Sequence, residues 1–292
     1  MSNRIRMGSA TLTRIVETQI EVTTSLFAAT PPESWRAEAD LLATDFWNAD
    51  TNQWRIMMQT WVLQVDGLTI VIDTGVGNDR DRPDKPPLDH LNTGFLGALH
   101  AAGVDSAEVD VVINTHLHTD HVGWNTQLVD GSWKPTFPNA RYLMPEGDYR
   151  FFAPDSPTTT DDMRIVFSDS IIPVADQTEK FSGEHQLSES VWLRPAAGHT
   201  PGSTVVWLDA GKPAVFVGDL THCPIQIPRP SDPCAFDINA DEATVTRKRI
   251  FTEAARRRAT VIPAHYPGHG GATIVARGDR FMVDDWLDLE RI

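Results

Sequence analysis

The sequence predicts a mixed α/β (α+β) fold, because strand patterns and helix patterns alternate along the chain and no short internal repeat is present. Segments 11–20, 55–66 and 68–73 are rich in β-branched and apolar residues, which is typical of strands. A long helical pattern over about 241–258 leads directly into a short apolar segment, 259–263. At 292 residues the chain is long enough to bury a core without disulfides.

The first half begins with antiparallel strands. Asp66-Gly67 separates two of the strand patterns, and this dipeptide is a strong hairpin signal. A loop rich in Gly, Pro and Asp covers 75–88, and a helical pattern then runs from about Leu91 to Ala102. The run from Val109 to Thr115 has the composition of a buried strand and ends next to a histidine.

The second half repeats this order of elements. Strands are predicted at 191–195, 203–208 and 214–218, followed by the long helix and a buried strand over 259–263. Segment 24–54 has no clear periodicity, although it contains five large aromatic residues, Phe27, Trp35, Phe46, Trp47 and Trp54. It is either a substrate lid or subunit contact, or an irregular loop packed on the core.

Composition excludes some classes of partner. The formal net charge is −15, which argues against a nucleic-acid partner because a phosphate backbone requires an electropositive track. The two basic triplets, 247–249 and 256–258, are predicted to lie on one solvated face of the long helix. The first 25 residues mix charged with apolar residues, so we expect no signal peptide, no membrane partner and a cytoplasmic location. Cys223 and Cys234 are expected to be reduced thiols.

The most informative segment directly follows the predicted strand 109–115. It contains His116, His118, Asp120 and His121 in the pattern H-x-H-x-D-H. Side chains at i and i+2 of an extended segment point the same way, so His116 and His118 can bind one ion. If the chain then turns into a helix, Asp120 and His121 face a second ion. One histidine alone is more often a core residue than a ligand, but four such residues in this order favour a metal site.

Three further candidates each follow a predicted strand. They are His199 in A-G-H-T-P-G-S, Asp219 in V-G-D and His265 in P-A-H. The glycines beside the first two would let the backbone approach the site closely. Five imidazoles and two carboxylates form a ligand set that suits zinc, with manganese, iron or cobalt as alternatives.

On these motifs the sequence resembles the metallo-β-lactamase superfamily over about residues 10–270. The resemblance implies a four-layer αβ/βα sandwich in a single domain, 1–292, with two pseudo-symmetric halves, about 1–175 and 176–292. It also implies that His116, His118 and His199 hold one metal, that Asp120, His121 and His265 hold the other, and that Asp219 bridges them. Asp73 also matches a family position, and we assign it a structural role near the site.

The chemistry of this arrangement agrees with the resemblance. Two adjacent cations lower the pKa of a shared water from near 16 to about 7 or below, and one of them can polarise the scissile oxygen. The predicted nucleophile is therefore a metal-bridging hydroxide, which Asp120 can orient, and no serine or cysteine nucleophile is required.

Particular residues favour one branch of the superfamily over the others. Asp219 stands where β-lactamases proper have a cysteine, and the segment after His265 is too short for the helical extension of a glyoxalase-II-like thioesterase. The chain most resembles the homoserine lactonase and methyl-parathion-hydrolase-like branch. We therefore expect a small-molecule lactone or other carboxylic ester as substrate, with organophosphate triesters or aryl esters as the alternative. β-Lactamase, thioesterase and di-iron redox activity, and a non-catalytic binding module, rank lower. A homodimer is a family-level expectation.

His222 separates this chain from the homoserine lactonases, which have a tyrosine three residues after the bridging aspartate. Its side chain either points into the cleft as a proton donor or oxyanion partner, or packs as a loop histidine. Trp124, close after His121, either lines the pocket or belongs to the core.

Overall fold

A computed structural model describes residues 3–42 and 45–292 of the protein. Its strands are β1 Arg4–Met7, β2 Ala10–Thr23, β3 Trp47–Asn48, β4 Gln53–Val65, β5 Leu68–Ile72, β6 Val111–Ile113, β7 Thr126–Val129, β8 Ser132–Pro135, β9 Arg141–Pro145, β10 Thr178–Phe181, β11 His185–Gln186, β12 Val191–Pro195, β13 Thr204–Asp209, β14 Pro213–Gly218, β15 Thr260–Pro263, β16 Ala272–Arg277 and β17 Arg280–Trp286. Its α-helices are α1 Pro32–Ala37, α2 Ala39–Leu42, α3 Phe95–Ala101, α4 Glu146–Phe151, α5 Asp161–Val166 and α6 Ala240–Arg257.

The first sheet is built from the N-terminal part of the chain. Its strand order is β1-β2-β4-β5-β6-β9-β10, with β3 paired to β4. The first strands are antiparallel, and β4 and β5 are joined through the predicted hairpin, in which Val65 pairs with Leu68. Asp66 and Gly67 have φ values of 53° and 77°, as a type I′ turn requires. From β5 onward, β6, β9 and β10 are added in parallel.

The second sheet contains β11 to β17 in sequence order. Its strands are antiparallel except for β14 and β15, which run parallel and are connected by α6. The first sheet ends at Phe181 and the second begins at His185, so each half of the chain forms its own sheet.

The two sheets pack face to face between two layers of helices. In β4, Trp61 and Leu63 belong to the core between the sheets, whereas Val62 faces outward with α3 and α5. In β13, Val206 faces the other sheet and Trp207 faces α6. This alternation follows from the two-residue period of a strand. The predicted four-layer αβ/βα sandwich is confirmed.

The predicted strands of both halves are present, but two elements differ in length. The helix expected from Leu91 begins only at Phe95. The preceding backbone is held by the side chain of Asn78, which accepts a hydrogen bond from Thr93 N at 2.8 Å and donates one to Thr93 O at 3.1 Å. The strand expected over 109–115 is reduced to Val111–Ile113, because the chain leaves the sheet to form the site described below.

Segment 24–54 packs on the core within its described part. Short helices α1 and α2 and strand β3 lie in it, and all five of its large aromatic residues are buried in one cluster with residues of the second sheet. The interpretation as a segment packed on the core is therefore favoured over that of a lid.

The prediction for Arg247 was wrong, and the structure favours one of the two alternatives for Trp124. Arg247 is fully buried rather than part of a solvated basic face, whereas Lys248 and Arg249 beside it are exposed. Trp124 lies in the core rather than in a pocket: it is 3% exposed, and its ring stacks on Phe95 with the centroids 5.0 Å apart. The indole Nε1 donates to Glu17 at 2.7 Å, which satisfies its one polar atom.

Both cysteines are buried and free, as expected. Among the described residues, no helix combines the length and apolar character that crossing a membrane would require.

Candidate metal centre

The predicted ligand residues meet at one edge of the sandwich, where strands from both sheets end. His116 and its neighbours follow β6, Asp219 directly follows β14, and His265 lies two residues beyond β15. His199 lies in the loop between β12 and β13. Because β14 and β15 are parallel, their carboxyl ends carry Asp219 and His265 to the same edge.

These side chains form two groups of potential metal ligands. One group contains His116, His118, His199 and Asp219, and the other contains Asp120, His121 and His265. Within each group, one ligand atom from every residue lies within 4.8 Å of the others. The fold thus brings together all seven residues predicted from the sequence as metal ligands.

The two carboxylate oxygens of Asp219 face different sets of ligands. Its Oδ2 lies 3.3 Å from His199 Nε2 and 3.8 Å from His116 Nε2. Its Oδ1 lies 3.0 Å from His265 Nε2 and 3.3 Å from His121 Nε2. Two ligand atoms bound to one tetrahedral zinc lie about 3.3 Å apart, as follows from metal–ligand distances of about 2.0–2.1 Å. The carboxylate therefore has the spacing of a bridge between two ions.

The distances between ligand atoms also place Asp120 in the second group. Its Oδ2 lies 3.5 Å from His265 Nε2 and 3.8 Å from His121 Nε2. It is partly exposed, with 18% of its side chain accessible, whereas Asp219 retains 6%. In the first group, His118 Nδ1 lies 2.9 Å from His199 Nε2.

Four of the imidazoles are held by a second contact on the nitrogen that points away from the site. His116 Nδ1 lies 3.1 Å from Thr115 Oγ1, His121 Nδ1 lies 2.9 Å from Asp73, His199 Nδ1 lies 3.2 Å from Asp237, and His265 Nδ1 lies 3.0 Å from the carbonyl of Met57. Each of these partners can accept a hydrogen bond from Nδ1–H, which leaves the lone pair of Nε2 directed into the site.

Asp73 supports the site without belonging to either ligand group. It follows β5, and its carboxylate accepts hydrogen bonds from Thr115 N at 2.7 Å and Thr115 Oγ1 at 2.8 Å, and contacts His121 Nδ1. Its φ of 53° is in the left-handed region, which costs an aspartate less than most residues. The structural role assigned to it from the sequence agrees with these contacts.

The residues present fit a pair of divalent cations. Among the described side chains, His116 Nε2, His121 Nε2 and Asp219 Oδ1 are buried without a hydrogen-bond partner. Buried polar atoms without partners are rare, and metal coordination would satisfy all three. Burial lowers the pKa of His116 and His199, and that of His118 to about 3, so these imidazoles are neutral as ligation requires. Burial also acts to raise the pKa of Asp219, but His265, His121 and His222 outweigh it and hold the carboxylate ionised.

The segment that carries the first ligands is a turn, not the helix proposed from the sequence. His121 N donates to His118 O at 3.1 Å, and a short 3₁₀ turn, Gly123–Asn125, follows. The turn is fixed from outside by Arg82, whose Nε donates to Thr119 Oγ1 at 2.5 Å while its guanidinium pairs with Asp169 at 2.8 Å. Both side chains are buried, so the contact is shielded from solvent.

Two glycines allow close approach, as predicted. Gly198, with φ of 136°, lies against the first turn of α6, and a Cβ there would overlap the backbone of Ala243. Gly218, with φ of 49°, lies against Thr115, the residue that contacts both Asp73 and His116. Each glycine thus brings a ligand loop close to the element that supports it.

Asp148 of α4 joins the two loops that carry His116, His118 and His199. Its carboxylate accepts hydrogen bonds from Leu117 N at 3.0 Å, Thr200 Oγ1 at 2.8 Å and Gly202 N at 2.6 Å. Burial raises its pKa to about 6 although these three donors oppose the shift. Neither Asp148 nor Asp237 is part of a recognisable motif, so the sequence did not identify them.

His222 lies beside the first group of ligands. Its ring is 1% exposed, its Nε2 lies 3.2 Å from Asp219 Oδ2, and both ring nitrogens are buried without a hydrogen-bond partner. The half-exposed ring of Phe236 packs 5.5 Å from it. The loop geometry therefore brings His222 to the centre rather than to the surface.

A sandwich of two sheets with a paired His/Asp cluster at their common edge defines a class of metalloproteins. The chain belongs to the metallo-beta-lactamase superfamily, whose family model matches residues 58–265.

Solved structures with the same fold match the chain over nearly its whole length. The hydrolase AbOPH, described as a member of the beta lactamase superfamily, is 20% identical and has a TM-score of 0.80, with 100% of this chain and 99% of that chain covered. AidC, a dizinc quorum-quenching lactonase solved with a product, is 21% identical with a TM-score of 0.78, over 99% of this chain and 97% of that one. A probable metal-dependent hydrolase from Staphylococcus aureus is 17% identical, with a TM-score of 0.79 over 99% and 100% of the two chains.

Proposed function

We propose that the protein is a dinuclear metal-dependent hydrolase that cleaves a lactone or other carboxylic ester. The observation that carries this proposal is the position of Asp219, whose two oxygens each face a different group of ligands. A carboxylate in that position favours two ions over one, and the remaining ligands supply three side chains to each. Zinc is the preferred metal because imidazole and carboxylate ligands suit it.

The proposed ligands are those deduced from the sequence. His116, His118 and His199 would hold one ion, Asp120, His121 and His265 the other, and Asp219 both. When bound, a pair of divalent cations activates water for attack and polarises a carbonyl or phosphoryl oxygen.

The chain supplies the remaining steps through Asp120 and His222. Asp120 is partly exposed beside His265, so its carboxylate can orient the attacking water and accept a proton from it. His222 Nε2 is buried next to Asp219 and can donate a hydrogen bond to the oxygen that becomes negatively charged, or a proton to the leaving oxygen.

Apolar residues next to these groups support an ester with an apolar acyl or aryl part. Phe236 and Ile238 are 39% and 46% exposed, which is unusual for large apolar side chains beside a polar site. Phe236 packs on His222, and Ile238 N donates to His199 O at 2.9 Å, so both lie at the edge of the centre. The lactonase activity named for AidC agrees with such a substrate.

The test combines metal analysis with a substrate panel. Purified protein, saturated with zinc and desalted, should contain close to two ions per chain, and kcat/KM is then compared for lactones, aryl esters, phosphotriesters and β-lactams. We expect the highest kcat/KM for lactones or carboxylic esters. A protein that saturates at one ion contradicts the dinuclear proposal, and a highest value for phosphotriesters or β-lactams contradicts the substrate class.

A further inference from the structure

The side chain of Arg247 lies inside the protein, behind the metal centre. Arg247 projects from α6 and retains no exposed side-chain surface. Its guanidinium donates to four acceptors in the segment that connects β14 to α6: Nε to Leu220 O at 2.6 Å, Nη1 to Pro230 O and Asp232 O at 3.2 Å each, and Nη2 to Asp237 Oδ2 at 3.2 Å. A buried guanidinium is costly unless its donors are paired, and this one is paired on each nitrogen.

Two of these acceptors link Arg247 to proposed ligands, one through the backbone and one through a side chain. Leu220 is the residue after Asp219, so the bond from Arg247 Nε fixes the backbone that carries the bridging carboxylate. Asp237 is held by Arg247 through Oδ2, while its Oδ1 lies 3.2 Å from His199 Nδ1. Asp237 Oδ2 also accepts from Cys234 N at 3.1 Å, which ties the same carboxylate to its own loop.

We propose that Arg247 is a positioning residue for the metal centre, acting through Asp237 on His199 and through Leu220 on Asp219. With Oδ2 bound to the guanidinium, Asp237 presents Oδ1 to the imidazole. That contact keeps the proton of His199 on Nδ1 and the lone pair of Nε2 directed at the ion. The proposal rests on the dinuclear centre described above.

The route through Asp237 reaches only the group of ligands that contains His199. His121 is oriented by Asp73, and His265 by the carbonyl of Met57. None of the hydrogen bonds of Arg247 or Asp237 reaches His121, His265 or the partners that orient them. Loss of the guanidinium should therefore weaken the ion held by the group that contains His199 more than the ion held by the group that contains His121.

The experiment measures the affinity of each ion in full-length protein. Metal-free protein is titrated with Co²⁺ against a chromophoric chelator, and the absorption bands of bound Co²⁺ are recorded. The proteins compared are wild type, R247K, D237N and the double variant R247K/D237N. Lysine keeps the positive charge but cannot make four bonds in a planar fork. R249K is the matched control, since Arg249 is exposed on the same helix and donates one bond, to Pro195 O.

We expect two ions in every variant, with one of them bound about 10- to 100-fold more weakly in R247K and D237N and the bands of that site altered. In D237N the other ion should bind as in wild type, whereas in R247K it should weaken less than the first, because Leu220 reaches it only through Asp219. R249K should match wild type for both ions. The double variant should bind the weakened ion no more than about twofold worse than the poorer single variant, because the two residues act on His199 in series.

Unchanged affinities in R247K overturn the proposal, as does equal weakening of both ions. If R247K does not fold, D237N decides, because wild-type affinities in that variant leave Arg247 without its route to His199. A purely structural role would lower the melting temperature of metal-free R247K without separating the two affinities. A wild-type protein that binds fewer than two ions contradicts instead the dinuclear centre on which this proposal rests.

Discussion

Asp219 is the side chain on which both ions of the proposed centre depend. Replacing it with asparagine preserves its size but removes the charge that faces both groups of ligands. We expect D219N to retain fewer than two ions per chain after desalting and to lose at least about 100-fold in kcat/KM. Elemental analysis and esterase assays check this. Two tightly bound ions with near-normal turnover would show that the bridge is wrongly assigned.

His222 is expected to act on the substrate rather than on the ions. In H222F the buried ring would be retained in size and packing, but its nitrogens would be lost, so kcat/KM should fall about 10- to 1000-fold with metal content intact. The loss should be largest for esters with alkoxide leaving groups and smallest for nitrophenyl esters, which need no proton to leave.

The control for this change is H100F, since His100 is exposed at the end of α3. Equal kcat/KM in H222F and wild type for both kinds of ester would leave His222 with a packing role only.

At this scale the sequence identified residues that belong to motifs and missed those that act through contacts. His116 to His121 share one short segment, so their pattern is visible before folding. Asp237 contacts His199, and Arg247 contacts Asp237, only because α6 and the residues before it pack against the His199 loop. Nothing in the local sequence of either residue indicates this. Trp124 was ambiguous for the same reason, since its partner Glu17 lies far away in the chain.

Helix α4 carries one buried carboxyl, that of Asp148, whose protonation should make stability depend on pH. The pKa of Asp148 is raised by burial to about 6, above the value near 3.9 in an unfolded chain. The folded state therefore holds this proton more tightly, and the stability it contributes is lost as the pH rises through 6. Between pH 5 and 7.5, the free energy of unfolding of wild type should fall by about 1.5 kcal/mol relative to D148N.

Urea unfolding of both proteins at the two pH values measures this difference. D155N is the control, because Asp155 is exposed in the loop after α4. Parallel stability curves for wild type and D148N would mean that Asp148 is ionised throughout this range.

The close approach of α6 to the His199 loop depends on Gly198. In G198A the added methyl group would overlap the backbone of Ala243, and φ of 136° would be strained for alanine. We expect a loss of about 1–3 kcal/mol in stability together with weaker binding of one ion. G131A is the control, since Gly131 has φ of 73° with nothing within 4 Å of an added Cβ. Equal metal affinity in both variants would contradict the role of this contact.

The elements themselves were predictable where a regular pattern extends over many residues. The strands of both sheets and α6 follow from periodicity, because each buries one face along its length. The turn at Thr119 to His121 could not be predicted in the same way. It is stabilised by Arg82 and Asp169, which lie outside the motif in the chain.

At the scale of the whole molecule, the ligands come from both sheets. Four of them follow β6 in the first half, and His199, Asp219 and His265 come from the second. The core between the sheets also contains residues of both halves, and we propose on these grounds that they form one domain. This architecture could be expected from the sequence only through its resemblance to a family, since periodicity does not report which sheets face each other.

Metal removal should therefore destabilise the whole protein rather than one loop. An ion present at 100 times its dissociation constant adds about 2.7 kcal/mol to the stability of the form that binds it. For a chain of this length we expect chelation to lower the melting temperature by about 5–10 °C or more, and two equivalents of zinc to restore it. A melting temperature independent of metal would contradict a centre shared between the sheets.

In the proposed centre, the single carboxylate of Asp219 would also couple the binding of the two ions energetically. An ion held at Oδ2 would change the charge that Oδ1 offers to the other group. The factor by which the first ion alters the affinity of the second must equal the factor by which the second alters that of the first. Occupancy of the two positions would thus be a cooperative quantity, and the affinity measured for either ion would depend on whether the other is already bound.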